Sequence, residues 1–423
     1  MPGRTGSLLC IAGRLLGALF IALALTGAAL AQQPPLRIGF GMSMTGPLAG
    51  NGKAALISME IWRDDVNAKG GILGRKVEFV HYDDQTNPST VPGIYTKLLD
   101  VDKVELIVSG YGTNVIAPAM PIVMQRNLTF MTLFGLNVNS KFNYDRYFQI
   151  MPAGPEPAIG WSQGYFDTAM TLNPKPQTVA LVGADAEYPA MALEGARAHA
   201  KRLGLKVVYD KTYPPNSVDF SPIVRAIQAT NPDIVYLASY PPDSAGMVRA
   251  VNEVGLKTRM FGGGLVGTQF AALKTQLGPL LNGVVNYEAY APDVAKQFPF
   301  LEQFLAKYQA RAAKEGVDPL GYYLPPYAYA MMQIVEQAIK GVGGLDQAKL
   351  AEYMHKTEFD TYVGKVRFAA NGEWAAPRMM AVQYHGIVGN DAEQWKKSGH
   401  VTVLSPKSYA TGTVMTPFQD NRK

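Results

Sequence analysis

The sequence predicts an α/β protein of two similar lobes, each a parallel sheet covered by helices, and three observations carry that expectation. Apolar, β-branched runs alternate with helix-like runs along most of the chain. A Pro- and Gly-rich stretch divides the alternation into two series. The chain's 423 residues exceed what one core usually holds, and 48% apolar content is enough to fill two. Strands joined by helical stretches require right-handed crossovers, which put helices on both faces of the sheet.

In the first series LRIGF is a strand, SMTGPLAGNG a polar loop, and AALISMEIWRDDVNA a helix that stops at Gly70 and Gly71. KVEFVHYDD is the second strand, and STVPGIYTKLLDVD is a helix broken early by Pro92. VELIVSG is the third strand, APAMPIVMQRN a helix and LTFMTLFG the fourth strand. MPAGPEPAIG then reads as a crossover between lobes. The second series is QTVALVG (strand), MALEGARAHAKRLG (helix), KVVYDKTYP (strand), FSPIVRAIQAT (helix), DIVYLASY (strand), SAGMVRAVNEVG (helix) and TRMFGGG (strand). From Gly283 onward the order is less regular, with helix patterns in PFLEQFLAKYQARAAKEG and MMQIVEQAIKG and a strand-rich end.

Composition narrows the function. A net charge of +5 without a basic cluster argues against nucleic acid as a partner. Arg4 and Arg14 precede an uncharged apolar run ending in Ala29-Leu30-Ala31, the pattern of a secretory signal peptide over residues 1–31. Cys10, the only cysteine, lies inside that leader, so the mature chain is expected to have neither disulfide nor thiolate chemistry. The five histidines are scattered without a zinc or nucleophile-elbow motif, and no cofactor or metal is expected. His81 could suggest a metal with Asp83 and Asp84, but a strand end facing a turn explains it better.

The loop LIVSGYGTNVIAP (106–118) is the strongest candidate for chemistry. Gly110 and Gly112 let the chain turn at a strand end, and Thr113 and Asn114 stand where N-cap residues stand. Hydroxyl, amide and free backbone N–H donors at one spot suit an anion, most simply a carboxylate. The plain alternative is that these residues only cap their own helix.

GMSMTGPLAGNG, DDVNAKGGILGRKVEFVHYDD, GYGTNVIAP, and the spacing to EYP and SYPPDSAG resemble the periplasmic leucine/isoleucine/valine-binding family, the solute receptors of amino-acid ABC transporters. The match covers roughly residues 36–396. It implies the type I periplasmic binding protein fold, two Rossmann-like lobes joined by three crossings and closing like a hinge. Lobe 1 is then expected over 36–152 and 288–358, lobe 2 over 153–287 and 359–396, and a C-terminal extension over 397–423.

The resemblance also implies site residues. Thr113, with Asn114 beside it, matches a hydroxyl that holds the ligand's carboxylate, and backbone N–H groups near Gly135 and Leu136 add to it. Tyr188 and Tyr240 match aromatics of the second lobe that close over the ligand, and Tyr323 or Tyr327 another near the cleft. Two departures stand out. Where the family supplies an acid for the ligand's ammonium, this chain has Gly264, and where it commonly has an aromatic, this chain has Asn51. Both changes favour a wider cleft and a larger carboxylate, such as an aromatic or aryl-alkanoic acid, although Asp185 or Glu187 could supply the charge for an amino acid.

The expected activity is therefore non-enzymatic: a monomeric periplasmic receptor that binds a small carboxylate ligand and docks onto an ABC transporter permease. Branched-chain amino-acid binding in the strict sense and a ligand-sensing module are the alternatives. A dinucleotide enzyme is the rival from another class, because Gly262, Gly264 and Gly267 spell G-x-G-x-x-G with Glu288 further on. Its context is poor, since the residues after Gly267 carry a weak helix pattern.

Overall fold

The computed structural model describes residues 33–215 and 217–422, so the expected leader lies outside it. Lobe 1 contains β1 (Leu36–Met42), α1 (Ala49–Ala68), β2 (Val77–Asp83), α2 (Val91–Asp100), β3 (Leu106–Tyr111), α3 (Thr113–Ile116), α4 (Met120–Gln125), β4 (Phe130–Leu133), α5 (Asn139–Phe142) and β5 (Tyr147–Gln149). Its sheet has the order β2-β1-β3-β4-β5 and is parallel throughout. β3 occupies the middle and is buried along its whole length, as its apolar start, Leu106 to Val108, requires.

Lobe 2 begins with α6 (Pro157–Ala169) and continues β6 (Thr178–Ala184), α7 (Glu187–Leu203), β7 (Lys206–Tyr213), α8 (Ser221–Ala229), β8 (Ile234–Ser239), α9 (Pro241–Val254), β9 (Met260–Leu265), α10 (Ala271–Leu277) and β10 (Val285–Glu288). α7 shows why these helices stop where they do. Gly204 follows it with φ 70°, a left-handed cap, and Lys201 and Arg202 lie in the last turn, where positive charge suits the helix dipole.

The chain then returns to lobe 1 with α11 (Leu301–Glu315), α12 (Leu324–Val342) and α13 (Gln347–Lys356). Trp62 on α1 donates to Glu336 on α12 at 3.0 Å, which ties the returning helices to the first one.

The end of the chain departs from the expected boundaries. The hairpin β11 (Phe359–Thr361) and β12 (Gly364–Val366), placed with lobe 2 from the sequence, packs on lobe 1. Phe359 meets Phe368, which meets Phe148 at 5.1 Å. Of the strands within 359–396, only β13 (Met380–Tyr384) enters the lobe 2 sheet, antiparallel to β10. The segment read as an extension is part of that lobe: β14 (Val401–Ser405) pairs with β13 as an edge strand, giving the order β14-β13-β10-β9-β8-β6-β7. Beyond it Phe418 is fully buried against Phe261, so the tail covers the sheet face that would otherwise be open.

Two crossings touch at the hinge. Arg378 N–H donates to the Pro152 carbonyl at 2.8 Å, and Pro377 lies so close to Gly154 that a Cβ there would approach it to 3.0 Å. A Pro- and Gly-rich crossover is thus needed for close backbone approach, not only for flexibility.

Candidate ligand-binding site

The end of β3 is shaped by glycine for a steric reason. A Cβ on Gly110 would sit 2.2 Å from the Gly41 carbonyl, and Gly112 has φ 105°. Gly112 rather than Thr113 or Asn114 holds the N-cap position; Thr113 is the first residue of α3. That shift of register leaves the Thr113 hydroxyl free to face across the loop. It accepts a hydrogen bond from the Leu136 N–H at 3.0 Å, so two groups expected to share a carboxylate do converge and, with nothing between them, satisfy each other.

Around this pair lies a cavity between the lobes. Lobe 1 contributes Tyr111, Thr113, Phe134, Leu136 and Met151; lobe 2 contributes Trp161, Tyr188, Tyr240 and Val266; and Tyr323 enters from the segment ahead of α12. Tyr323 bridges the two walls, with ring centroids 5.3 Å from Phe134, 5.7 Å from Phe270 and 5.8 Å from Tyr287. Its hydroxyl lies 3.4 Å from that of Tyr111 and 3.3 Å from that of Tyr287. Tyr188 is held from both sides: it donates to the Gly264 carbonyl at 2.8 Å and accepts from Trp161 Nε1 at 3.2 Å.

The cavity is small, ≈ 20 Å³, room for about one water. A second one of ≈ 360 Å³ opens towards the cleft mouth, lined by Pro47, Leu48, Asn114, Val218 and Tyr240. Tyr240 stands between them, lining both. Its hydroxyl is buried and makes no hydrogen bond of good geometry.

Among the described residues no acidic or basic one lines the inner cavity. The tyrosines hold their protons because burial disfavours the phenolate. Tyr111 is pushed up to about 12, and Tyr188, Tyr240 and Tyr323 are raised further by burial and by one another. This wall therefore offers neutral donors and apolar rings over the whole physiological range.

Several expected positions lie elsewhere. Asn51 is buried behind the cavity, beside the Tyr111 hydroxyl, and does not line it. The Gly135 carbonyl turns away to accept from Gln149 Nε2 at 2.9 Å, leaving Leu136 to line the space. Asn114 faces the outer cavity. Tyr327 packs behind Phe134 at 5.2 Å, so Tyr323 is the one that meets the cleft.

The expected widening at Gly264 is absent from this closed form. A Cβ there would lie 3.0 Å from the Leu237 carbonyl and 3.1 and 3.2 Å from the Tyr188 and Tyr236 hydroxyls, which fill the space an acidic side chain would need. Asp185 and Glu187 are both exposed, and Glu187 pairs with Lys141 across the lobes at 3.4 Å.

The family follows from comparison with known proteins. The model described as "Periplasmic binding protein" matches residues 35–393. The chain belongs to that family. A Leu/Ile/Val-binding protein of Escherichia coli is 25% identical over 86% of this chain and 94% of its own. A leucine-binding protein from Thermotoga maritima superposes with a TM-score of 0.72 at 20% identity, covering 88% of this chain and 99% of that one. A solute-binding protein of an ABC transporter from R. palustris, in complex with benzoate, gives a TM-score of 0.70 at 17% identity, covering 88% and 95%. The two-lobed type I architecture is thus shared, and relatives in this family are periplasmic solute-binding proteins rather than enzymes.

Within this periplasmic binding protein the G-x-G-x-x-G stretch has a structural explanation. Gly262 and Gly264 lie inside β9, where a Cβ on Gly262 would meet the Val285 carbonyl at 1.8 Å. Glu288 is not free for a ribose; it is buried in an ion pair with Lys274 at 2.6 Å and accepts from Tyr384 at 2.8 Å. Among the described residues no helix is long and apolar enough to cross a membrane, and no cluster of three potential metal ligands occurs.

Trp161, Phe134, Tyr111, Met151 and Val266 line the cavity as well, and none of them stands out in the sequence as a candidate. Tyr111 and Phe134 were within reach, since each stands at the carboxyl end of a strand already assigned, where open parallel sheets bind ligands. Trp161 gave no such signal. It sits on α6, a helix hidden behind the stretch read as a crossover.

Proposed function

We propose that this protein captures a small carboxylate with an apolar or aromatic body between its lobes and, as a freely diffusing monomer, delivers it to the permease of an ABC transporter. The observation that carries the reading is the inner cavity wall: hydrogen-bond donors meet aromatic rings, and among the described residues no acidic one lines it to pair with an ammonium. Asp243 lines the outer cavity instead, and its carboxylate is engaged by the Tyr213 hydroxyl at 3.3 Å. Burying an ammonium without a partner costs several kcal/mol, whereas a carboxylate has the Thr113 hydroxyl and the Leu136 N–H.

The ligand enters when the lobes part, because the closed cavity holds about one water. Thr113 and Leu136 then exchange their mutual hydrogen bond for two to the carboxylate. Closure brings Trp161, Tyr188 and Tyr240 over the apolar body, contacts that the open form cannot make. Branched-chain amino-acid binding is the second reading, favoured by the name of the E. coli relative.

Thermal-shift and calorimetric titration of residues 32–423 separates the two. Benzoate- and cinnamate-type acids are expected to stabilise the protein, by about 2.7 kcal/mol at a hundredfold excess over Kd. Leucine, isoleucine and valine are expected to leave it unchanged. Stabilisation by the amino acids alone overturns the aromatic-acid reading.

A further inference from the structure

On the hinge side of the molecule a crevice of ≈ 380 Å³ separates the β11–β12 hairpin from the segment after β14. It is lined on one side by Glu358, Lys365, Arg367, Trp374 and Arg378, and on the other by Ser408 and Tyr409. Two hydrogen-bond donors on this wall are buried and have no acceptor among the described residues: the indole Nε1 of Trp374 and the guanidinium Nε of Arg378. They lie together, with the Arg378 guanidinium carbon 4.8 Å from the Trp374 ring centroid. Trp374 is only 4% exposed, so its N–H has little access to water.

Two neighbouring donors without acceptors call for one acceptor group, and the local charge gives its sign. Lys365 is neutralised by Glu358 at 2.8 Å and Asp360 at 3.3 Å, but Arg367 and Arg378 form no ion pair among the described residues. We infer that this crevice is a binding site for a small oxyanion, held by Arg378 and the Trp374 N–H and attracted by the exposed Arg367. A planar guanidinium beside an N–H donor is well matched to carboxylate or phosphate oxygens.

The location makes such a site consequential. Arg378 donates its backbone N–H to Pro152, joining two crossings, and its crevice takes one wall from each lobe. Tyr327, which feels the Arg378 charge, packs on Phe134 of the ligand cavity. An anion here would tie the hairpin on lobe 1 to the tail of lobe 2, at a place separate from the cleft.

The test is titration of the mature protein with inorganic phosphate, ionic strength held constant with sodium chloride, followed by calorimetry and melting temperature. Saturable binding and a rise in Tm are expected. Trp374→Phe keeps the ring and removes the N–H, and should weaken phosphate binding several-fold. Arg378→Gln should weaken it at least tenfold. Arg367→Gln, on an exposed side chain, should weaken it several-fold and decides the matter if Arg378→Gln does not fold. Absence of saturable binding, or equal binding by wild type, Trp374→Phe and Arg367→Gln, overturns the proposal. Because phosphate is read directly, the result is independent of which ligand the cleft takes.

Discussion

The two walls of the cleft are built from different materials. Lobe 1 presents hydrogen-bonding groups fixed by backbone geometry, chiefly the Thr113 hydroxyl and the Leu136 N–H at the end of β3 and the loop after β4. Lobe 2 presents rings, with Trp161, Tyr188 and Tyr240 packed on one another at 5.8 and 5.6 Å. On the proposed reading the contrast would separate two tasks: the polar wall would select the head of a ligand, and the aromatic wall would set how stably the lobes close over its body.

The sharpest way to break this division is Trp161→Ala. It removes a ring 4.3 Å from Tyr287 and the donor to Tyr188, and should cost about 3–5 kcal/mol of stability, read by urea unfolding. Thr113→Val, on the other wall, should act mainly on affinity. Loss of a charge-assisted hydrogen bond predicts about 1.5–3 kcal/mol, a ten- to hundredfold weaker Kd for an aromatic acid, with Thr113→Ser close to wild type. An unchanged Kd in Thr113→Val would remove the carboxylate role from lobe 1.

Tyrosines on lobe 2 give a finer comparison. Tyr188→Phe removes the donor to the Gly264 carbonyl and the acceptor of the Trp161 N–H and should cost about 1–2 kcal/mol. Tyr240→Phe removes a hydroxyl that has no well-formed hydrogen bond, so stability should change by less than about 0.5 kcal/mol. If the two substitutions cost the same, the hydrogen bonds of Tyr188 do not hold the wall.

The smallest expected effect is that of pH. Burial raises the pKa of every tyrosine around the cavity, and a raised phenol pKa keeps the neutral donor form in place as pH increases. Affinity for an aromatic carboxylate should therefore vary by no more than about two-fold from pH 6 to 9. A steep fall within that window would indicate a titrating group in the wall.

Much of this was legible in the residues. The alternation of strands and helices is local, so both parallel series could be read from Leu36 to Gly264. The Gly110–Gly112 turn and Thr113 could be singled out because a glycine-spaced strand end followed by a hydroxyl is a local pattern. That Gly264 offers no acidic side chain was visible as well. Its consequence was not, because the volume there is taken by Tyr188, which is 76 residues away in sequence, and by Tyr236.

The sequence alone determined the α/β class and the family, and it singled out the Gly110–Thr113 loop as a candidate, since each rests on propensities and spacings within a few residues. Tertiary structure decided which lobe each C-terminal segment joins, that Trp161 and Tyr323 meet across the cleft, and that Asn51 stays behind it. Those outcomes depend on packing between segments far apart in the chain, where shape and buried hydrogen bonds, not local preference, choose the arrangement.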